Sequence, residues 1–222
     1  MKQTNFYNQY SWTRQHLNDV ILHGKHKIIS NKLLSQAFKN IDRADFVPED
    51  QRKFAYNDTE IDIGFGQKLD KPTLIAEQLD LLSPQKNGRY LDLGAGSGYT
   101  AAILGEIVKN KGKVFALERI LYLVEQMRSN LSKYKDLTNT VEILFKDGSK
   151  GYPDMAPYDG IISSVAFKQI PPELIKQLKI GGKLVIPTHE LELKAVTRVD
   201  KDNTKEEIHH GYVFDKAKSG VE

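Results

Sequence analysis

Residues 90–99, with the sequence YLDLGAGSGY, carry the strongest chemical signal in the chain. Gly94, Gly96 and Gly98 follow a short apolar run and precede an alanine-rich stretch of helical character. A strand, a glycine turn and a helix in this order let the backbone come close to a bound nucleotide. The pattern predicts cofactor-binding residues at Asp92, Gly94, Ala95, Gly96, Ser97 and Gly98. The alternative is a glycine turn with a purely structural role.

Glu118 provides the second signal for this predicted site. It lies about 20 residues after Gly98, at the end of the next apolar run, where an acidic side chain can accept hydrogen bonds from both ribose hydroxyls. The pair of signals predicts an adenosine-type ligand at the carboxyl end of a parallel sheet.

The charges around the turn indicate which ligand binds. A dinucleotide site needs glycine at position 99, where this chain has Tyr99. Asp92 is expected to face the ligand crevice, where its charge would repel a pyrophosphate and attract an ammonium or sulfonium group. S-adenosylmethionine carries both cations and no phosphate, so the sequence predicts a methyl-donor site.

Two further strand ends add candidate residues. Asp147 and Gly148 follow the third predicted strand, in a loop that borders an adenine pocket in sheets of this kind, although an ordinary turn is the alternative. Ser163 and Ser164 end the fourth strand and are expected to face the transferred methyl group, unless they serve packing alone.

The composition excludes several functions. The 222 residues carry a net charge of +3, and the lysines are scattered, so no nucleic-acid partner is expected. No apolar window has the length of a membrane span, and the first residues lack the apolar core of a signal peptide. Cysteine is absent and the six histidines show no metal-ligand spacing, so we expect no metal. The expectation is a cytoplasmic monomer.

Hydrophobic periodicity predicts the elements that position these residues. We expect helical structure from Thr4 to Ile41, a loop from Ala55 to Pro72 with short extended pieces, and a helix from Thr73 to Leu82. Strands and helices then alternate, which indicates a parallel, doubly wound sheet. The predicted strands are Arg89–Leu93, Lys113–Glu118, Val141–Phe145, Gly160–Ser164 and Lys183–Pro187, and the helices are Thr100–Lys109, Ile120–Tyr134 and Pro172–Leu178. An edge hairpin is expected from Leu191–Val199 and Ile208–Phe214, joined by a polar turn at Asp200–Lys205.

Several motifs, in order, give the chain a family resemblance. They are Asp45-Phe46-Val47-Pro48, Ala55-Tyr56-Asn57-Asp58, Ile63-Gly64-Phe65-Gly66-Gln67, Leu91–Tyr99, Lys146-Asp147-Gly148, Ala156-Pro157-Tyr158-Asp159 and Gly181–Pro187. With them the chain resembles the protein-L-isoaspartate O-methyltransferases from about Asn31 to Pro187. The resemblance implies methylation of the isoaspartyl carboxylate in damaged proteins. The ester then closes to a succinimide, and hydrolysis returns some normal aspartate.

The fold expected from the pattern and the resemblance is α/β. It is a Rossmann-like, doubly wound, seven-stranded fold of S-adenosylmethionine-dependent methyltransferases with an N-terminal helical extension. We expect a single domain over residues 1–222, with a helical cap and substrate loop at 1–82, the core at 88–187 and the edge hairpin at 188–222. The resemblance places a substrate pocket at Ile63, Gly64, Gln67, Lys68, Ser163 and Ser164.

One loop departs from the family. The family has the pattern G-Q-T-x-S-x-P, whereas this chain has Gly66-Gln67-Lys68-Leu69-Asp70-Lys71-Pro72. Asp70, the candidate catalytic residue, replaces a serine, and an ionised carboxylate there would disfavour an attacking carboxylate unless Lys68 or Lys71 compensates. Two alternatives stay open: methylation of a different nucleophile with Asp70 as base, or a module that binds cofactor or peptide without turnover.

Overall fold

The computed structural model describes residues 12–23 and 28–222. The predicted N-terminal helical stretch forms two helices, α1 (Arg14–His23) and α2 (Lys32–Asn40), rather than a continuous run. Helix α2 begins after Asn31, whose backbone is extended. The Asn31 side chain caps the helix by accepting a hydrogen bond from the Leu33 amide at 2.8 Å. Residues 4–11 and 24–27 of that prediction lie outside the described residues.

A two-stranded hairpin and a helix form the segment before the main sheet. Strands β1 (Ile61–Gly64) and β2 (Gln67–Leu69) pair antiparallel, with Ile61 opposite Leu69. These are the short extended pieces expected in the loop of residues 55–72. Helix α3 (Pro72–Leu82) begins at a proline, as helices often do, and ends at Ser83 in the left-handed conformation.

A seven-stranded sheet forms the body of the molecule, as predicted. Its strands lie in the order β5-β4-β3-β6-β7-β8-β9, and the first five are parallel. The parallel strands are β3 (Arg89–Leu93), β4 (Lys113–Glu118), β5 (Val141–Phe145), β6 (Tyr158–Ser163) and β7 (Leu178–Thr188); the connecting helices are α4 (Tyr99–Val108), α5 (Leu121–Ser132) and α6 (Pro172–Lys176). The sequence prediction carried α6 two residues too far, because Leu178 opens β7 opposite Tyr158.

The last two strands form the predicted antiparallel edge hairpin, but the prediction placed the second one too late. Strand β8 (Glu192–Arg198) pairs with β9 (Thr204–His210), which begins four residues before the predicted Ile208–Phe214 and shares only residues 208–210 with it. The turn is tighter than expected, because the Asp200 carboxylate accepts hydrogen bonds from the Asp202 and Asn203 amides at 2.9 Å each. Among the described residues, no helix is long and apolar enough to cross a membrane.

Both faces of the sheet are buried, which explains the apolar runs of its central strands. Leu91 and Leu93 face one hydrophobic cluster, whereas Tyr90, on the opposite side of the pleat, joins a larger cluster. The larger cluster also contains Leu34 of α2 and Leu79 of α3, so the N-terminal helices pack against the sheet. The carboxyl ends of β3, β4, β5 and β6 meet at one edge, where the predicted site residues are found.

Candidate active site at the carboxyl edge of the sheet

A cleft of about 800 Å³, open to solvent, lies at the carboxyl ends of the parallel strands. The β1–β2 hairpin and the residues after β9 form its outer walls, and the glycine turn forms part of its inner wall. The structure brings these predicted residues together around it: Ile63, Gln67, Lys68, Asp70, Gly94, Gly96, Glu118, Gly148 and Ser164.

The glycine turn needs glycine for its backbone conformation. Gly94, Gly96 and Gly98 have φ values of 74°, 54° and 92°, in the left-handed region that other residues seldom adopt. Space is also restricted, since a Cβ on Gly98 would lie 2.6 Å from Met127 Cγ. The amides of Gly94 and Ala95 both donate to the Leu117 carbonyl at 3.0 Å, which joins the turn to β4.

Glu118 connects the turn to the start of α5. Its Oε2 accepts a hydrogen bond from the Gly96 amide at 2.9 Å. Its Oε1 accepts from the amides of Arg119 and Ile120 at 2.7 and 2.9 Å. The side chain is buried but lines the cleft, and a carboxylate has about four acceptor positions, so it retains capacity for a ligand.

Asp92 lies in a different place from the one that the sequence predicted. It is fully buried and does not line the cleft, because the pleat of β3 turns its side chain to the same face as Tyr90. Both carboxylate oxygens lack a hydrogen-bond partner among the described residues. Burial, with a smaller contribution from the Glu118 charge, raises the pKa of Asp92 to about 7.

Other predicted residues support the cleft from behind without lining it. Ser97 is buried and its carbonyl accepts from Asn130 Nδ2 at 3.1 Å. Ser163 is also buried, and its hydroxyl donates to the Val165 carbonyl at 2.8 Å, which shapes the turn after β6. The remaining residues of this kind lie in the two glycine turns: Ala95, Gly98 and Gly64.

Asp147 holds the segment of residues 215–222, here called the tail, rather than facing the cleft. Its Oδ2 accepts from the Gly220 amide and its Oδ1 from the Ser149 amide, at 2.7 and 2.8 Å. Although burial acts in the opposite direction, these hydrogen bonds hold the pKa of Asp147 below its usual value. The predicted contact of this carboxylate with an adenine amine would compete with the Gly220 bond.

The tail crosses the carboxyl edge of the sheet and closes one side of the cleft. It pairs with Ala166, whose amide donates to the Asp215 carbonyl at 2.7 Å and whose carbonyl accepts from the Ala217 amide at 2.8 Å. Farther along, Arg119 Nε donates to the Gly220 carbonyl at 2.7 Å. Four successive tail residues line the cleft: Asp215, Lys216, Ala217 and Lys218.

Asp70 lies in the cleft among charged neighbours of both signs. The pKa of Asp70 is raised to about 7: burial is the largest cause and Glu60 and Asp215 add to it, whereas Arg43 and Lys68 act in the opposite direction. The Lys68 Nζ lies 2.8 Å from a Glu60 carboxylate oxygen, so its charge is already paired. The cation behind Asp70 is instead Arg43, which is buried and was not predicted from the sequence.

The structure adds wall residues that sequence reasoning did not identify. Lys146 precedes the predicted Asp147 and places its Nζ 5.0 Å from the centroid of the Tyr152 ring. Its position in a recognised motif was the signal available for it. Leu93 belongs to a recognised motif as well, whereas the other apolar wall residues and the tail carry no signal of their own: Leu117, Leu123, Val165, Phe167 and residues 215–218.

These residues fit the cofactor predicted from the sequence. The turn presents backbone rather than side chains at Gly94 and Gly96, and Glu118 adds an acidic acceptor beside it. Asp92 is a buried acid beneath the same turn, without a hydrogen-bond partner in the described part of the chain, and there it favours a nearby cation over a pyrophosphate. Leucines on β3, β4 and α5 provide an apolar wall for a flat base.

Comparisons with known proteins identify the family of this chain. The family model described as "Protein-L-isoaspartate(D-aspartate) O-methyltransferase (PCMT)" matches residues 15–214. A Methanopyrus kandleri protein-L-isoaspartate O-methyltransferase is 39% identical over 189 residues, covering 84% of this chain and 83% of its own. An Archaeoglobus fulgidus relative, named protein-L-isoaspartate O-methyltransferase 1, is 42% identical over 167 residues, covering 75% of this chain and 76% of its own.

Solved structures confirm the fold. A Plasmodium falciparum structure described as a protein-L-isoaspartate O-methyltransferase, in complex with S-adenosyl-L-homocysteine, superposes with a TM-score of 0.79. It is 22% identical, and the match covers 92% of this chain and 97% of that one. With the family model matching most of its length, the chain belongs to the protein-L-isoaspartate (D-aspartate) O-methyltransferase family.

Proposed function

We propose that this protein transfers a methyl group from S-adenosylmethionine to the free carboxylate of isoaspartyl residues in proteins and peptides. The observation that carries the proposal is the position of the β1–β2 hairpin. Its residues Ile63, Gln67 and Lys68, followed by Asp70, line the same cleft as the glycine turn and Glu118. One cleft therefore has a wall suited to the cofactor and a facing wall suited to a polypeptide.

The cofactor half of the site rests on the turn and the residues below it. We infer that Gly94 and Gly96 lie against the cofactor, that Glu118 accepts from its ribose, and that Gly148 lies near its base. Asp92 favours the cationic amino acid portion through space rather than by direct contact, since it is buried under the turn. Asp147 acts through the tail that it holds.

The reaction makes few demands on the protein. S-adenosylmethionine supplies an electrophilic methyl group on a sulfonium. A substrate carboxylate oxygen forms the new bond to that carbon, the carbon–sulfur bond breaks, and its electron pair stays on sulfur. A carboxylate is already ionised at neutral pH, so no proton has to be removed, and alignment of the two groups supplies most of the rate.

The cleft attracts a carboxylate through lysines from three elements. Lys68 of β2 is paired with Glu60, whereas Lys146 and the tail residues Lys216 and Lys218 add positive charge to the wall. These charges offset the acidic groups Asp70 and Asp215 in the same wall. A substrate carboxylate therefore enters a site of mixed charge, in which the protonation of the acids matters.

A matched pair of peptides tests the proposed function. We expect S-adenosylmethionine-dependent methylation of an isoaspartyl peptide, and a kcat/KM lower by about 100-fold or more for the aspartyl twin, whose carboxylate is placed differently. The measurement is transfer of a labelled methyl group, and the product should release it in mild base, as esters do. Equal, negligible transfer to both peptides would contradict the proposal.

A second candidate function follows from the pKa of Asp70, which is raised to about 7 by burial. A group that titrates near neutrality is suited to act as general base for an amine or hydroxyl acceptor. In that case the methylated product would be stable to base. A module that only binds would give no transfer while retaining affinity for S-adenosylhomocysteine.

Removal of the tail tests its place in the cofactor site. A variant that stops after Phe214, which packs against the core, should bind S-adenosylhomocysteine about tenfold more weakly, a loss of about 1.4 kcal/mol. The reason is that the cleft loses the wall of residues 215–218. Calorimetric titration measures the change. An Asp147→Ala variant, which keeps the tail but removes its anchor, should show a smaller loss; equal affinities in all three proteins would contradict the role.

We further propose that residues 1–222 act as a single domain, which is supported by a core cluster that extends from Leu17 to Ala195. We expect it to act as a monomer in the cytoplasm on damaged polypeptides, as suits a chain without cysteine.

A further inference from the structure

Asp70 has a position from which it can touch the acceptor carboxylate. It follows β2 and lines the cleft together with Gly94, Gly96 and Ser164. The glycines belong to the turn on the cofactor side, and Ser164 follows β6. Asp70 therefore shares one cleft with the glycine turn, on the wall that we assign to the polypeptide.

Charged groups of both signs surround Asp70, and the acidic ones disfavour its negative charge. Glu60 and Asp215 are the acidic groups that face it, and Arg43 and Lys68 are the basic ones. Lys68 is exposed and paired with Glu60, so it does little for Asp70. Arg43 is buried, and its charge favours the ionised form of Asp70, but burial and Glu60 have larger effects in the opposite direction.

Burial is the largest of these influences, and together they raise the pKa of Asp70 to about 7. At this value the carboxyl group is about 90% neutral at pH 6 and about 90% ionised at pH 8. The neutral form has an O–H that donates one hydrogen bond, whereas the ionised form only accepts.

We propose that Asp70 works as a neutral acid that donates a hydrogen bond to the isoaspartyl carboxylate and thereby selects and orients it. The inference rests on the proposed function, because it needs a carboxylate acceptor. The bond goes to the oxygen that does not attack, so the other oxygen keeps its lone pair for the methyl carbon. No proton leaves Asp70 during the transfer.

The sign of the pH dependence follows. Because the pKa is raised, the donor form is present below about pH 7 and disappears as the pH rises. The ionised form repels a substrate carboxylate and offers it no donor. Activity should therefore fall by about tenfold for each pH unit above the pKa.

The test is a pH profile of kcat/KM between pH 5.5 and 9 for wild type, Asp70→Asn and Asp70→Ser. The substrate is an isoaspartyl peptide with blocked termini, whose only titrating carboxyl group stays ionised throughout. Wild-type activity should fall above about pH 7. Both variants keep a neutral donor, so their profiles should be flat and about tenfold above wild type at pH 8.

A neighbouring charge provides a second, independent measurement. Asp215 faces Asp70 across the cleft and raises its pKa. Asp215→Asn should move the fall in wild-type activity to lower pH. Binding of the same peptide to the enzyme saturated with S-adenosylhomocysteine should weaken between pH 6 and 8 in wild type and not in Asp70→Asn, without any turnover.

Three outcomes would overturn the inference. One is methylation of the isoaspartyl peptide with a wild-type profile that is flat between pH 6 and 8.5, which leaves the proposed function intact. A second is a wild-type profile that rises with pH together with inactive, folded Asn and Ser variants, as a general base requires. The third is no methylation of the peptide at any pH, which overturns the proposed function as well.

Discussion

Gly96→Val is expected to reduce affinity for S-adenosylhomocysteine by more than about 100-fold, or about 2.8 kcal/mol, while the protein still folds. Gly96 has φ of 54°, a conformation in which a side chain strains the backbone. A Cβ there would lie 3.1 Å from Ile63 Cδ1 and inside the cleft wall. Valine therefore occupies space that we assign to the cofactor.

The fold can tolerate the backbone strain of this substitution. A left-handed residue other than glycine costs about 1–2 kcal/mol, a fraction of the stability of an ordinary domain. The nearest atom is the end of a flexible isoleucine side chain, so the contact can relax. The loss should therefore appear in binding much more than in folding.

Gly181→Val is the matched control for this experiment. Gly181 has φ of 82°, and a Cβ there has nothing within 4 Å. It lies near the amino end of β7, whereas the cleft lies at the carboxyl ends of the strands. Calorimetric titration and thermal unfolding of both variants measure the difference. Normal affinity in a folded Gly96→Val protein would show that the glycine turn does not contact the cofactor.

The central strands could be predicted from the sequence because their physical cause is local. Parallel strands buried on both faces need continuous apolar runs, and β3 and β4 have them. For the same reason the sequence does not reveal which way the Asp92 side chain points. When both faces of a strand are buried, no alternation of polar and apolar residues distinguishes them, so the prediction that Asp92 faces the cleft is wrong.

Strand β9 and the tail could not be predicted in this way. All but one residue of β9 are exposed, so no hydrophobic pattern marks its bounds. The tail is held by Asp147 and Arg119, about 70 and 100 residues away along the chain, mostly through its backbone groups. Such bonds depend on the finished fold and not on the local sequence.

The motif identifies the substrate loop in the sequence, but which charged groups lie near Asp70 depends on the folded structure. The sequence suggested Lys68 or Lys71 as the cation beside Asp70. The structure pairs Lys68 with Glu60 and places Lys71 at the exposed start of α3. The buried cation near Asp70 comes from Arg43, in a short helix that precedes the hairpin.

Glu118→Ala is the second change with a large expected effect. Loss of charge-assisted hydrogen bonds to the ribose should cost about 1.5–3 kcal/mol, which is one to two decades in affinity for S-adenosylhomocysteine. The structure adds a reason for a value near the upper end. The same carboxylate accepts from the amides of Gly96, Arg119 and Ile120, so alanine leaves these three donors without their partner.

Two variants test whether the charge of Glu118 is needed and whether the effect is specific to this position. Glu118→Gln keeps one acceptor oxygen for the amides but lacks the charge, so it should bind the ligand more tightly than alanine and more weakly than wild type. Glu142→Ala removes a carboxylate from β5, outside the cleft wall, and should leave the affinity unchanged. Calorimetric titration gives the dissociation constants, and thermal unfolding shows whether a loss of affinity is accompanied by a loss of folding stability. If glutamine binds like wild type and alanine does not, Glu118 acts as an acceptor whose charge is not needed; if both bind like wild type, its role at the ribose is excluded.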